Sequence, residues 1–489
     1  MLRKLLDLLS DAAVYGISSM LSRIVGLALL PLLTRYLTPA DYGVVIMLGV
    51  VGMLFVPLGN LGMTNAIFRR FNLEKDPQAR ASVLGTGLVS VTCSSLVILA
   101  IGMLAAGPIA RLIIGNADAV ALVRVSLLAA TATAIGMVPF VCLRAARRVK
   151  TAALVNVSKV VLSLIVTVSL LVVWELGVWA VVLGTLVSEV ALALALVVMT
   201  FPSFRAGFAW ATWKRMASYG LPFVPHHLQA VSVNLFGLFV IREMLGLGAA
   251  GIYGVAIRFA SPINFVVGAV QQSWVPYKFQ IHAEDTNPRS FFQSTLTYYV
   301  AALSYLWVGV ALWGPEVVRL LAGPEFHDAA FLIWAVALIP VMQGLYFMAG
   351  TGLELSDNTR PMPLVSFAGL VMVIAAAYLL VPRIDAFGAA LATSLGWLTM
   401  GVVMYTISQR RFAISYDWPT IAWFALMAAV FVVAGSMVQS MTLWARLAVN
   451  TLLSLAYPLT GLIFLLRSRD ERGRMLHLLS KLRLVPSNR

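Results

Sequence analysis

The chain has 489 residues, 61% of them hydrophobic and only 11% charged, with a mean hydropathy of +0.92. That balance excludes a water-soluble globule and leaves no polar stretch long enough for a soluble catalytic domain, so an all-α membrane protein crossing the bilayer many times is expected. A formal charge of +15 would suggest nucleic acid as a partner in a soluble chain. Here Lys and Arg punctuate apolar runs instead of lining one face, which points away from nucleic acid and makes the charges reporters of topology.

Taken in order, the chain opens with MLRKLLDLLSDAAVYG, which reads as an uncleaved amphipathic lead-in to the first span. Fourteen spans are expected, at about 11–36, 41–68, 81–106, 119–143, 151–174, 177–200, 216–242, 249–277, 290–313, 328–353, 361–381, 386–408, 418–438 and 443–466. With this count the Lys/Arg bias survives to the end of the chain. Clusters such as Arg69, Arg70, Lys75 and Arg80, or Arg144, Arg147, Arg148 and Lys150, fall on one side, while the other holds isolated residues such as Arg111 and Arg242. Both termini are therefore expected in the cytoplasm. The two cysteines, Cys93 and Cys142, fall inside spans and read as packing residues. Beyond the last span, MLHLLSKLRLV puts Met475, Leu478, Leu479 and Leu482 on one face, as in a basic amphipathic helix lying on lipid.

An internal echo organises the chain. TRYLTPADYGVV joins the first two spans and IREMLGLGAAGIYGVA joins the seventh and eighth, in each case an Arg, a short turn and a Tyr-Gly opening the next helix. Six spans separate the copies, so both have the same orientation and would be related by an axis along the bilayer normal. The expected organisation is a lobe at 1–205, a second at 206–411, two added spans at 412–466 and a basic cytoplasmic tail at 467–489.

Polar residues concentrate in the first two spans of each copy. In the first, Ser19, Ser22, Arg23 and Gly26 share a face at helical spacing, and in the eighth Arg258, Ser261 and Gln271 do so with Asn264 at the edge. The seventh carries His226, Gln229 and Asn234 after Pro222 and Pro225, and the second carries Asn60, Thr64 and Asn65 beyond Pro57. Any one Asn, Gln or Ser serves as well to hydrogen-bond a neighbouring helix, at about 0.6 kcal/mol. An Arg at mid-membrane depth costs about 2.5–3.5 kcal/mol and belongs in a wet or protein-lined interior, and Arg258 lies about 14 Å by helical rise from its nearer helix end. Lys159 and Glu189, on the adjacent fifth and sixth spans, read as a structural ion pair or as a proton or cation relay. His226 and His227 point about 100° apart, which disfavours a shared metal. No GxxxxGK[ST] or HExxH motif is present, so no cofactor or enzymatic activity is expected, and transport would draw on an ion gradient, the membrane potential or the substrate gradient.

The stretch LSRIVGLALLPLLTRYLTPADYG, followed by AGIYGVAIRFASPI in the second copy, resembles the polysaccharide transporters of the multidrug/oligosaccharidyl-lipid/polysaccharide (MOP) exporter superfamily. That resemblance implies a V-shaped pair of lobes around a cavity lined by the first, second, seventh and eighth spans, alternating between inward-open and outward-open states in the bacterial inner membrane. It implies an undecaprenyl-diphosphate-linked oligosaccharide as substrate, with Arg23 and Arg258 as cavity cations for the diphosphate. Membrane lipids and the polysaccharide polymerase and chain-length machinery would be partners. A single mid-span Arg in the first helix and none in the second departs from the related peptidoglycan-precursor flippases, which leaves a lipid II substrate as the alternative. A cation-coupled drug exporter ranks behind it because the deep charges here are mainly positive, and a scaffold with purely structural buried charges is a further rival.

Overall fold

A computed structural model describes residues 26, 28–146, 148–204, 207–284, 288–355 and 361–467. Ser19, Ser22 and Arg23 of the opening span and the basic tail from residue 468 lie outside the described residues. The helices are α1 (Leu30–Tyr36), α2 (Pro39–Asn60), α3 (Met63–Leu73), α4 (Pro77–Leu104), α5 (Ala106–Ile113), α6 (Val120–Ala145), α7 (Val149–Val172) and α8 (Val178–Thr200). They continue with α9 (Trp210–Gly220), α10 (Phe223–Glu284), α11 (Pro288–Leu321), α12 (Ala329–Ala349), α13 (Thr351–Leu355), α14 (Met362–Arg411), α15 (Trp418–Met437) and α16 (Leu443–Arg467). Among the described residues there is no strand, and ten helical stretches are long and apolar enough to cross a membrane. The protein is an all-α, multi-pass membrane protein.

Two of these stretches are too long for one crossing. At 1.5 Å per residue, Phe223–Phe279 would run about 85 Å against about 30 Å of hydrocarbon. Breaks supply the missing turns: Gly246 in α10, at φ 87°, and Ile384–Asp385 in α14, with Asp385 at φ 50°. α10 then continues past the expected end of the eighth span to Glu284, so Lys278, assigned from sequence to a loop, is helical.

The described residues form two compact units. The first comprises those of Met1–Arg258, Val318–Leu332 and Arg360–Met400; the second comprises those of Phe259–Val317, Ile333–Thr359 and Gly401–Arg489. In the first unit α6 packs against α2, α4 and α8, and α7 against α8. Thr38 and Asp41 form a capping box that starts α2, with Pro39 at its first turn. The register so fixed sends Tyr42 into the core, where its ring meets Phe326 edge-on at 5.7 Å. Phe326 is held there because Thr34, back-bonded to Leu30, accepts a 2.9 Å hydrogen bond from the Gly323 N–H.

At the Pro39 end the two joining segments of the echo pack on each other. A Cβ on Gly43 would lie 2.0 Å from the Leu247 carbonyl oxygen, and one on Gly251 would lie 2.0 Å from that of Pro39. The glycines of the echo thus mark backbone-to-backbone contact. Nearby, Arg242 donates a 3.0 Å hydrogen bond to the Arg111 carbonyl at the end of α5.

The expected second span breaks at Leu61–Gly62, both with positive φ, and continues as the separate helix α3. Asn60 replaces the lost backbone bonding: its Oδ1 accepts from Thr64 N (3.2 Å) and Thr64 Oγ1 (3.0 Å). Gly62 lies against Gly220 at the end of α9, which is anchored to α4 where Thr86 Oγ1 accepts from Ala209 N and Ser90 Oγ from Trp213 Nε1, each at 3.0 Å. Met63, Ile67, Val138, Cys142 and Met216 form the apolar core around this junction.

In the second unit Lys278 is buried in an ion pair with Glu354, beside the Trp274–Thr351 hydrogen bond of 3.1 Å. Arg446 pairs with Glu316 at 3.0 Å, and Asn450 donates to the Leu312 carbonyl at 2.9 Å.

Gly62→Ala tests the α2–α3 junction. Left-handed backbone alone costs a non-glycine residue about 1–2 kcal/mol, and the new Cβ would lie 2.1 Å from the Gly220 carbonyl oxygen. Thermal unfolding of the purified protein should shift down by several degrees, on the order of the shift that 1–2 kcal/mol gives in a mid-sized domain. Gly107→Ala, whose Cβ meets nothing within 4 Å, should leave the midpoint in place.

Candidate functional site

Two cavities lie within the first unit, one beyond the other along α6. The upper one, about 540 Å³, is walled by α2 from Val45 to Pro57, by α6 from Ser126 to Thr133, by Val181, Val182 and Thr185 of α8, and by Val231 and Arg258 of α10. Its space is kept by missing side chains, since a Cβ on Gly49 or Gly52 would meet nothing within 4 Å. Among the residues that line it, Arg258 is the charged one. Its Nη1 donates to the Gly26 carbonyl at 3.4 Å and its Cζ lies 5.9 Å from the centre of the Tyr42 ring. A carbonyl and a ring face hold a guanidinium without neutralising it. Among the described residues no carboxylate pairs with Arg258: Glu189, an acidic residue within a neighbouring span, is 2.6 Å from Lys159 Nζ.

The lower cavity, about 760 Å³, begins where the upper ends, with Thr133 bordering both. Its charged lining consists of Arg69 from α3, Arg144 from α6, Lys159 from α7 and Glu189 from α8, joined by His227 of α10. Three cations face one carboxylate, so this chamber too favours an anion. Arg69 lies 4.5 Å over the Tyr219 ring, and Phe68, Phe140 and Phe223 complete an aromatic wall.

The other residues expected at the site have different surroundings. Asn60 is buried and spent on the α2–α3 junction. Asn234 accepts a 3.1 Å hydrogen bond from Trp397 Nε1, and Gln229 donates to the Pro363 carbonyl at 3.3 Å. His226 lies in α10 with its side chain outside the described residues. Ser261, Asn264 and Gln271 fall in the second unit, Ser261 and Asn264 half-buried and Gln271 beside a pocket of about 30 Å³ with Trp274, Lys278 and Glu354. Sequence reasoning missed Arg69 and Arg144, which it used only as topology markers. The stripe Thr133, Met137, Phe140 and Arg144, at steps of three and four, was the signal that would have found the α6 wall.

The model of a family described as polysaccharide biosynthesis protein matches residues 32–331, more than half of the chain. The chain belongs to this family. It has no match among curated proteins. Its fold is that of the MOP-superfamily transporters. It is similar to the lipid II flippase MurJ in an inward closed conformation, at a TM-score of 0.70 and 14% identity over 91% of this chain and 97% of that one. It is also similar to an outward-facing multidrug resistance MATE family transporter, at 0.62 and 16% identity over 86% and 96%. A MOP-superfamily transporter from Pyrococcus furiosus, described by a binding pocket of reversed polarity, gives 0.59 and 16% over 86% and 96%. The family member described here is thus a multi-pass membrane protein of a polysaccharide-biosynthesis family with the fold of those transporters.

Replacing Lys159 with Leu should strand Glu189. Breaking a fully buried pair costs about 3–5 kcal/mol; since the Lys159 side chain keeps 26% of its surface exposed, a loss on the order of 2 kcal/mol is expected. Thermal unfolding in detergent should show it, and the double variant Lys159→Leu/Glu189→Leu should recover most of the loss.

Proposed function

We propose that this protein is a non-enzymatic flippase that moves a polyprenyl-diphosphate-linked oligosaccharide across the bacterial inner membrane by alternating access, with both termini in the cytoplasm. The observation that carries this reading is Arg258, a cation without a carboxylate partner among the described residues, set in the wall of an otherwise uncharged, largely apolar chamber. A guanidinium offers a fork of donors that matches phosphate oxygens two at a time, and the apolar surroundings strengthen the contact. The upper chamber gives the charged head of the cargo a path while the polyprenyl tail stays in lipid. Family membership supports the link to glycans, and the positive-inside bias of the loops supports the orientation. By this reading the polymerase and chain-length machinery receive the flipped repeat unit.

A cation exporter would need acidic residues facing its cargo; Arg258 and the excess of cations in the lower chamber oppose that use. A lipid II substrate is the second reading, since its diphosphate would make the same contact with Arg258 and the MurJ flippase has the same fold.

Arg258→Ala should reduce surface polymer at least tenfold in cells that depend on this protein, with the protein still present in the membrane, and Arg258→Lys should retain part of it. Wild-type polymer with Arg258→Ala would sink the reading.

A further inference from the structure

The flippase reading rests on the upper chamber; the lower cavity has the makings of a second binding site. Its volume of about 760 Å³ suits a ligand of disaccharide size. It pairs cations with aromatic faces and with the amides of Asn65 and Asn156, the combination that holds a sugar by stacking and hydrogen bonds and a phosphate by charge. Arg69 is pre-set for this role: stacked on Tyr219, its guanidinium keeps its plane and loses little freedom on meeting an oxyanion. Arg69 and Arg144 are both exposed, and Lys159, half-buried, is held by Glu189.

We propose that the lower cavity is a separate docking site for a sugar diphosphate, bound by Arg69, Arg144 and Lys159, with Glu189 as the internal competitor that occupies Lys159 until a phosphate replaces it. No covalent bond changes; one ion pair is exchanged for another. Arg144 stands about 16 Å by helical rise along α6 from Thr133, the residue that borders both this cavity and the chamber of Arg258. A headgroup docked below is therefore passed along α6 to the upper cation. The identity of the ligand rests on the flippase reading; the anion site itself does not.

The test is calorimetric titration of the full-length protein in detergent with two probes, inorganic pyrophosphate and farnesyl diphosphate. The double variant Arg69→Gln/Arg144→Gln should weaken binding at least tenfold, while Arg258→Gln should leave this site saturable. Glu189→Gln, which removes the competitor but keeps a neutral partner for Lys159, should tighten binding several-fold, an effect that damage to the fold cannot imitate. Tighter binding of farnesyl diphosphate than of pyrophosphate assigns the site to a lipid-linked diphosphate, and the reverse assigns it to a soluble one such as a nucleotide sugar. Wild-type affinity in the double variant, or unchanged or weaker binding in Glu189→Gln, overturns the proposal. Normal polymer with Arg258→Ala alongside the expected titrations would remove the flippase reading and leave the anion site standing.

Discussion

The contact on which the first unit depends is one of backbone against backbone. Gly43 meets Leu247 and Gly251 meets Pro39 at separations no Cβ could share, so the starts of two spans far apart in the chain are locked together. Membrane helices gain nothing from hydrophobicity against one another, and close approach through small residues is a main source of their cohesion. From this lock follow the burial of Tyr42, the position of Arg258 over its ring and the depth at which the upper chamber opens. The capping box at Thr38 and the Thr34–Gly323 bond keep the same corner in register from either side.

Charge is handled in two ways within one unit. Lys159 and Glu189 neutralise each other on neighbouring helices, the usual solution for ionisable groups in a bilayer. Among the described residues Arg258 is met by a carbonyl and a ring and by no carboxylate. That leaves its charge directed at the chamber, where the largely apolar wall strengthens its attraction for an arriving anion. A membrane protein that leaves a cation so placed accepts a loss of stability there, which is the usual mark of a working position.

Much of the fold was legible because its signals are local. Apolar runs of about 20 residues and the repeated segment of Arg, short turn and Tyr-Gly each report on one stretch of chain, and the structure turns the second into a packing contact. The break at Leu61–Gly62 was read through as part of one span although Gly59, Asn60 and Gly62 are turn residues, and nothing local announces that Gly220 approaches there. The same limit applies to the site. Arg258 was evident from its depth, but Asn60, Asn234 and Gln229 are polar residues whose partners, among them Trp397 and Pro363, come from elsewhere in the chain. Arg69 and Arg144 sit at helix ends where sequence sees only a topological marker, and only the assembled helices show that both line one cavity. The pairing of Lys278 with Glu354, 76 residues apart, was beyond local reading for the same reason.

The junction between α2 and α3 has a mechanical consequence. Leu61 and Gly62 both sit in left-handed backbone, and the Asn60 amide bridges the bend by accepting from the Thr64 N–H and hydroxyl. With Met63, Ala66 and Ile67 fully buried beyond it, the junction works as a fixed elbow. It aims Phe68 and Arg69 at the lower cavity, where a straight continuation of α2 would have carried them elsewhere.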